Sequence, residues 1–254
     1  MQKAPETTKD VIRTTTPQAI QIAKGLMRTA RFAALACISA TTQRPNASRV
    51  ALATDNDGTP LILVSALAPH TASLIAHPYC SLLAGEPGKG DAMAHARITL
   101  HCTARQITRE HEAYQRLRIR YLSHNPKGAL YVDLGDFSFF RLEVDGASLN
   151  GGFGKAFNLT TADLICDSKF SEAIATYEAE TLAALNAAYK DHIRKLATQV
   201  TKNEAPSSPW IISAIDPDGF NLRSNESVER VWFENNAADG LSAKTQIIST
   251  LQAL

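Results

Sequence analysis

A chain of 254 residues can bury a large core and hold one or two domains. Its composition, 44% apolar and 20% charged, is that of a soluble globular protein. A net charge of +1 supplies no field to steer nucleic acid or an anionic membrane, so any anion site has to be local.

Residues 17–30 place Ile20, Ala23, Met27 and Ala30 at helical spacing and predict an N-terminal helix. Strand-like runs follow at 31–40, 48–54, 60–65, 79–84 and 97–107. Asp55-Asn56-Asp57-Gly58 between the second and third is a turn, which makes that pair a hairpin. Two helices interrupt the series. The run 69–77 is short and opens on a proline; the run 109–123 is long and polar, and Asn125-Pro126 stops it. Strands resume over 136–144 and 147–153. Antiparallel strands closed by short helices predict a barrel, because closure removes exposed sheet edges.

The composition changes near residue 160. Ile174, Tyr177, Leu182, Leu185, Tyr189, Ile193 and Leu196 recur at helical intervals and predict one long helix over 171–200. A polar, proline-bearing break at 203–209 precedes strands at 210–216, 220–223 and 228–233, with Asp218-Gly219 as a turn, and a last helix over 242–251. The expected organisation is a barrel over 17–160 and a small α+β domain over 171–254 with its own core.

No apolar run approaches the roughly 20 residues that span a bilayer, and the first 20 residues are polar. Cys37, Cys80, Cys102 and Cys166 are scattered, without paired spacing, and read as reduced thiols of a cytoplasmic protein. Metal spacing of the HxxxH type, a nucleophile elbow and a P-loop are all missing; the GEPGKG stretch at 85–90 lacks the ending of a Walker loop.

Two stretches carry a resemblance. One is Ser65-Ala66-Leu67-Ala68-Pro69-His70-Thr71-Ala72-Ser73-Leu74 with Ser81-Leu82-Leu83 after a His-Pro; the other runs from Gly90-Asp91 through Ala96-Arg97-Ile98-Thr99-Leu100 to Ala104, completed by Gly151-Gly152-Phe153-Gly154-Lys155-Ala156. In this the chain resembles the heme-utilisation branch of the pyridoxamine-phosphate-oxidase-like, FMN-binding split-barrel superfamily. The C-terminal part is similar to the small α+β domain that accompanies that branch. Cys102 stands where a glycine is common, Lys155 where an arginine is, and of the C-terminal helix motif only Asp191-His192 is kept.

The resemblance implies a mainly β plus α+β fold, an antiparallel split β-barrel followed by the small domain. It also implies a homodimer that binds FMN, or in some branches heme, in a groove between the subunits. A flavin phosphate needs cations, hydroxyls and backbone N–H groups. Arg49 on a strand, Ser65 at the next strand's end, and His70-Thr71 opening the short helix are the candidates. Each has a plainer reading, as a solvated arginine, a turn former and a helix cap. Arg97, Thr99 and His101 alternate with Ile98, Leu100 and Cys102, as a ligand face or a half-solvated strand would. Lys155 adds a cation beside a glycine turn.

Three functions are open on these residues. The leading one is an FMN-binding protein, an oxidoreductase whose flavin carries the redox chemistry. A heme-binding or heme-degrading protein would use the same groove; heme asks for an axial ligand, usually histidine, and seven are present at 70, 77, 95, 101, 111, 124 and 192. Heme-degrading relatives carry a histidine near the C-terminus, and none follows His192. The third is a regulatory protein that binds a protein partner in tetrapyrrole metabolism without turnover.

Overall fold

The computed structural model describes residues 12–152, 154–201, 209–225 and 227–254. A two-residue strand β1 (Ile12–Arg13) precedes helix α1 (Pro17–Thr29). Thr16 caps that helix by accepting from Ala19 N, and Pro17 fills the first turn, where no donor is needed. Its buried face, Ala19, Ala23 and Met27, joins the barrel core.

The barrel strands are β2 (Phe32–Ile38), β3 (Pro45–Thr54), β4 (Pro60–Ser65), β5 (Tyr79–Ala84), β6 (Arg97–Ile107) and β7 (Phe137–Asn150). They pair in the order β7-β4-β3-β2-β5-β6, and β6 returns to β7, so the antiparallel sheet closes. Alternation does the sorting: Leu35, Leu52, Leu82, Leu100 and Leu142 point inward and are fully buried. β8 (Ala156–Leu159) extends the sheet beyond β7, and β1 pairs parallel to it. The Asp55–Gly58 turn joins β3 to β4 as the sequence predicts, with Gly58 at φ +102°. Helix α2 (Pro69–Ala76) follows β4, and helix α3 (Tyr114–His124) covers Leu61, Leu63 and Phe139 on the barrel's outer wall.

After the short helix α4 (Thr161–Leu164) come α5 (Ser168–Ala175), α6 (Glu178–Ala188) and α7 (Lys190–Thr201). A three-stranded antiparallel sheet, β9 (Ile211–Asp216), β10 (Gly219–Arg223) and β11 (Val228–Trp232), and helix α8 (Gly240–Gln252) complete the chain. These elements share a second core around Phe220, Ile212 and Leu185. Among the described residues no helix is long and apolar enough to cross a membrane.

Three readings are corrected, and one strand is added. The single helix over 171–200 is three helices, jointed at Thr176-Tyr177 and Tyr189. Ile174, Leu182, Leu185, Ile193 and Leu196 all still reach one core, because short joints preserve the phase of the pattern. The helix predicted from 109 begins only at Tyr114; the His111 ring accepts from Ala113 N, and Arg109 reaches the Leu134 carbonyl at 2.7 Å. The strands at 136–144 and 147–153 are one strand, β7, whose partner β6 shifts register between His101 and Cys102. Strand β8 escaped the sequence reading altogether. The polar break at 203–209 lies, but for Pro209, outside the described residues.

Buried charges tie the C-terminal elements to the barrel. Arg28 of α1, 1% exposed, meets Asp216 at 3.1 Å and Asp218 at 3.5 Å, and Arg230 clamps Asp216 through two nitrogens at 2.6 and 2.7 Å. Arg120 of α3 pairs with Glu178 and donates to the Thr54 carbonyl, while Glu178 also accepts from Ile215 N at 2.7 Å. Burial pushes the Asp216 carboxyl upward, but Arg230 and Arg28 outweigh it and hold it down to about 2.

Removing one partner of such a pair leaves a buried charge uncompensated, at about 3–5 kcal/mol. Glu178→Gln is therefore expected to lower the denaturation free energy by that order. A chain ending at Asp167 strands both Arg28 and Arg120, and is expected to lose cooperative unfolding. A truncated barrel that melts as the full chain does would overturn this.

Candidate functional site

The barrel's outer face carries the candidate site. Side chains of β2 alternate, so Phe32, Ala34, Ala36 and Ile38 point outward, opposite Ala33, Leu35 and Cys37. Register places Ala34 between Arg49 and Leu83, and Ala36 between Ala47 and Ser81, with His101 next to Ser81 on β6. The result is a trough floored by small residues, with Phe32, Arg49, Leu83, Tyr79 and His101 around it. Phe32 and Ile38 are each 38% exposed, Leu83 44% and Tyr79 75%.

Arg49 stands where two cavities meet. Its guanidinium lies over the Phe32 ring, 5.1 Å from the centroid. On one side a cavity of about 590 Å³ is lined by Phe32, Ala34, Ala47, Leu83 and Pro87. On the other, a cavity of about 740 Å³ runs to Lys127, Tyr131 and Arg223. A third cavity, about 640 Å³, lies by the Asp55–Asp57 turn. Its charges neutralise one another, Arg116 on Asp55 and Arg141 on Asp57.

The predicted site residues fall into three places. Arg49 is exposed on the trough. Ser65, His70 and Thr71 form the corner between β4 and α2. There the Ser65 hydroxyl donates to the Asp136 carboxylate at 2.5 Å, and the Thr71 hydroxyl donates to the Ser65 carbonyl at 2.6 Å. Half-burial lowers the His70 pKa. Counting on from Leu52 opposite Ile62 brings Arg49 level with Ser65, although the paired ladder stops at Leu52.

Arg97 and Lys155 sit elsewhere. Arg97 donates to the Met93 and His95 carbonyls at 3.3 and 3.4 Å. It faces Asn150, whose other neighbour is Ala156, next to the exposed Lys155. Ser65 faces Phe137, at the opposite end of the 14-residue β7, a contour of roughly 40 Å away. One protomer therefore does not bring all six residues around one ligand.

Sequence reasoning missed Phe32, Lys127 and Arg223. A signal for the first exists: Phe-Ala-Ala-Leu-Ala-Cys-Ile is apolar on both faces, whereas a barrel strand facing water alternates. Lys127 and Arg223 are brought near each other only by tertiary packing. Cys37, Cys80 and Cys102 are free and buried, and Cys166 is free and half-buried. Among the described residues no group of His, Cys, Asp and Glu is arranged to hold a metal ion.

Residues 14–168 match the family model of the CREG β-barrel. Over 217 residues the chain is 33% identical to a chloroplastic heme oxygenase of Arabidopsis thaliana, covering 82% of this chain and 65% of the relative; the chain thus spans just under two thirds of that relative's length. A crystal structure of a protein of unknown function from Agrobacterium tumefaciens superposes with a TM-score of 0.79 at 28% identity, over 99% of this chain and all of that one. A heme-binding protein from Mycobacterium smegmatis shares the fold, with a TM-score of 0.55 at 24% identity over 94% of this chain and 98% of its own.

His124, behind the larger cavity, yields a pH test. Its Nε2 donates to the Ala30 carbonyl at 3.1 Å. Burial above all, with Arg120, Arg223 and Arg31 nearby, outweighs that bond's upward pull and lowers its pKa from 6.5 to about 4. The unfolded chain then takes up this proton first as pH falls, so the stability from a neutral His124 is whole above about pH 6.5 and lost toward pH 4, roughly 3 kcal/mol. Asp216 acts lower, between its usual value of 3.8 and about 2. Denaturation midpoints should fall from pH 6.5 to 4 in wild type and fall less in His124→Gln; parallel slopes would refute the assignment.

Proposed function

This chain belongs to the CREG β-barrel family, and on that premise we propose that it is a heme-binding split-barrel protein that works as a homodimer. The observation that carries the reading is β2, apolar on both faces while the barrel covers only one. Phe32, Ile38, Leu83 and Tyr79 leave an exposed apolar patch beside a cation, which supports a binding surface over a solvated wall. A planar amphiphile with acidic arms meets that surface in kind. The Arabidopsis relative's being a heme oxygenase supports heme as that amphiphile.

The residues present fit the group. Ala34, Ala36 and Ala47 give a floor flat enough for a ring, Phe32 and Leu83 give apolar edges, and Arg49 gives a cation for a propionate. His101 lies on this face, its Nδ1 3.4 Å from Ser81 Oγ, and would be the side chain that holds the iron. Bound heme would supply the iron chemistry; the chain's part is to hold, orient and partly desolvate it. The partner's copy of the same face would cover what one protomer leaves open, in an interface above about 2,000 Å².

FMN, the leading reading from sequence, draws support from the level positions of Arg49 and Ser65. Against it, the corner intended for the phosphate already holds the Asp136 carboxylate on Ser65, and the Thr71 hydroxyl is occupied. A dianion placed there would meet a like charge.

Titration of the purified chain decides between the two. Heme is expected to give a Soret band that His101→Ala collapses and Arg49→Ala weakens about ten- to hundredfold, the worth of a charge-assisted hydrogen bond. Light scattering should give a dimer at micromolar concentration. FMN binding that discriminates against riboflavin, with no Soret band, would overturn heme in favour of flavin. A chain that binds neither would point to the partner-binding reading.

A further inference from the structure

The cavity of about 740 Å³ beside Arg49 gathers cations from both parts of the chain. Arg49, Lys127 and Arg223 line it, and no acidic residue does among the described ones. Elsewhere the buried or half-buried guanidinium groups of Arg28, Arg116, Arg120, Arg141 and Arg230 each rest on a carboxylate. Arg223 is half-buried too, yet its hydrogen bonds go to carbonyls, from Nε to Ser123 at 2.8 Å and from Nη1 to Ser224 at 3.3 Å. Among the described residues no carboxylate lies within ion-pair distance of Arg49, Lys127 or Arg223.

Taking a guanidinium partly out of water without a counter-charge is unfavourable, and a neighbouring cation adds to that. Burial and the charge of Arg31 lower the Arg223 pKa, where the paired arginines Arg28 and Arg116 are raised. Lys127 and Arg49 come from the barrel part, Arg223 from β10, so the positive wall exists only because the two parts meet.

We propose that this cavity binds a compact anion of two or more charges, a phosphate group or a pair of carboxylates, between Lys127 and Arg223. The volume exceeds a bare phosphate and suits a larger molecule that carries one. Two sources share this chemistry: a free phosphate ester, and the propionates of a heme lying on the adjoining Phe32 face. The site does not depend on the heme reading, since its cations stand whatever covers the trough.

The test uses the full chain and calorimetric titration with inorganic pyrophosphate. Wild type should bind it, more weakly as salt rises. Lys127→Gln and Arg223→Gln should each lower affinity about tenfold or more. Arg105→Gln, a surface cation paired with Glu143 away from this cavity, should leave it unchanged. Lys127 is exposed, so its removal does not threaten the fold, and circular dichroism checks Arg223→Gln. A second arm titrates heme and heme dimethyl ester, whose propionates are neutral. Loss of heme affinity in both variants, with the ester indifferent to them, identifies propionates as the source; a response to pyrophosphate alone identifies a free phosphate. Failure of heme to bind at all sinks the heme reading and leaves this site to the pyrophosphate arm. Unchanged affinity for pyrophosphate and heme in both variants, or no binding of either ligand by wild type, overturns the site.

Discussion

Closure of the six-stranded sheet is the constraint from which the rest follows. Once β6 returns to β7, the inward side chains fill the interior and no ligand can be met there. Chemistry is pushed to the outer wall and the ends. Part of the outer wall has a structural cover: α3 lies on Leu61, Leu63 and Phe139. On β2 and β5 the outward Phe32, Ile38, Tyr79 and Leu83 are apolar and exposed, where water would favour polar residues. Closure thus makes the Phe32 face conspicuous, because the interior cannot take a flat apolar surface.

The same economy explains why the C-terminal elements grip the barrel through charge. Arg28 and Arg120 leave the barrel part pointing into the second one, and their carboxylates, Asp216 and Glu178, come from it. Buried ion pairs add little net stability over apolar packing, but they penalise any other docking geometry severely. Docking of the two parts also brings Arg223 and Lys127 to the walls of one cavity.

Much of the fold was legible because its signals are local. The strand series, the turns at Asp55–Gly58 and Asp218-Gly219, and helices α1 and α8 rest on alternation, helical phase and glycine. What was not legible depends on distant partners. The start of α3 is decided by the His111 ring and by Arg109 reaching across to Leu134. The joint at Tyr177 lets Glu178 turn inward to Arg120 and Ile215, which no helical pattern announces. In the site, Arg49 could be picked out as a lone charge on an apolar strand. Ser65 and Thr71 have the hydroxyls a phosphate site wants, and sequence does not reveal that Asp136 and a carbonyl already engage them. Lys127 and Arg223 are about a hundred positions apart.

Strand β7 has a consequence for how the chain comes to be folded. It serves as partner to β4, β6 and β8, and its contact with β4 spans nearly eighty residues of chain. Until residues 137–150 leave the ribosome, β4 and β6 are both open edges, and between them stands a sheet whose β2 is apolar on both sides. Synthesis at about 5–20 residues per second leaves that half-barrel exposed for seconds. Pairings of such long range are also slow to form. The apolar residues that stay exposed on the finished face also make the unfinished one adhesive.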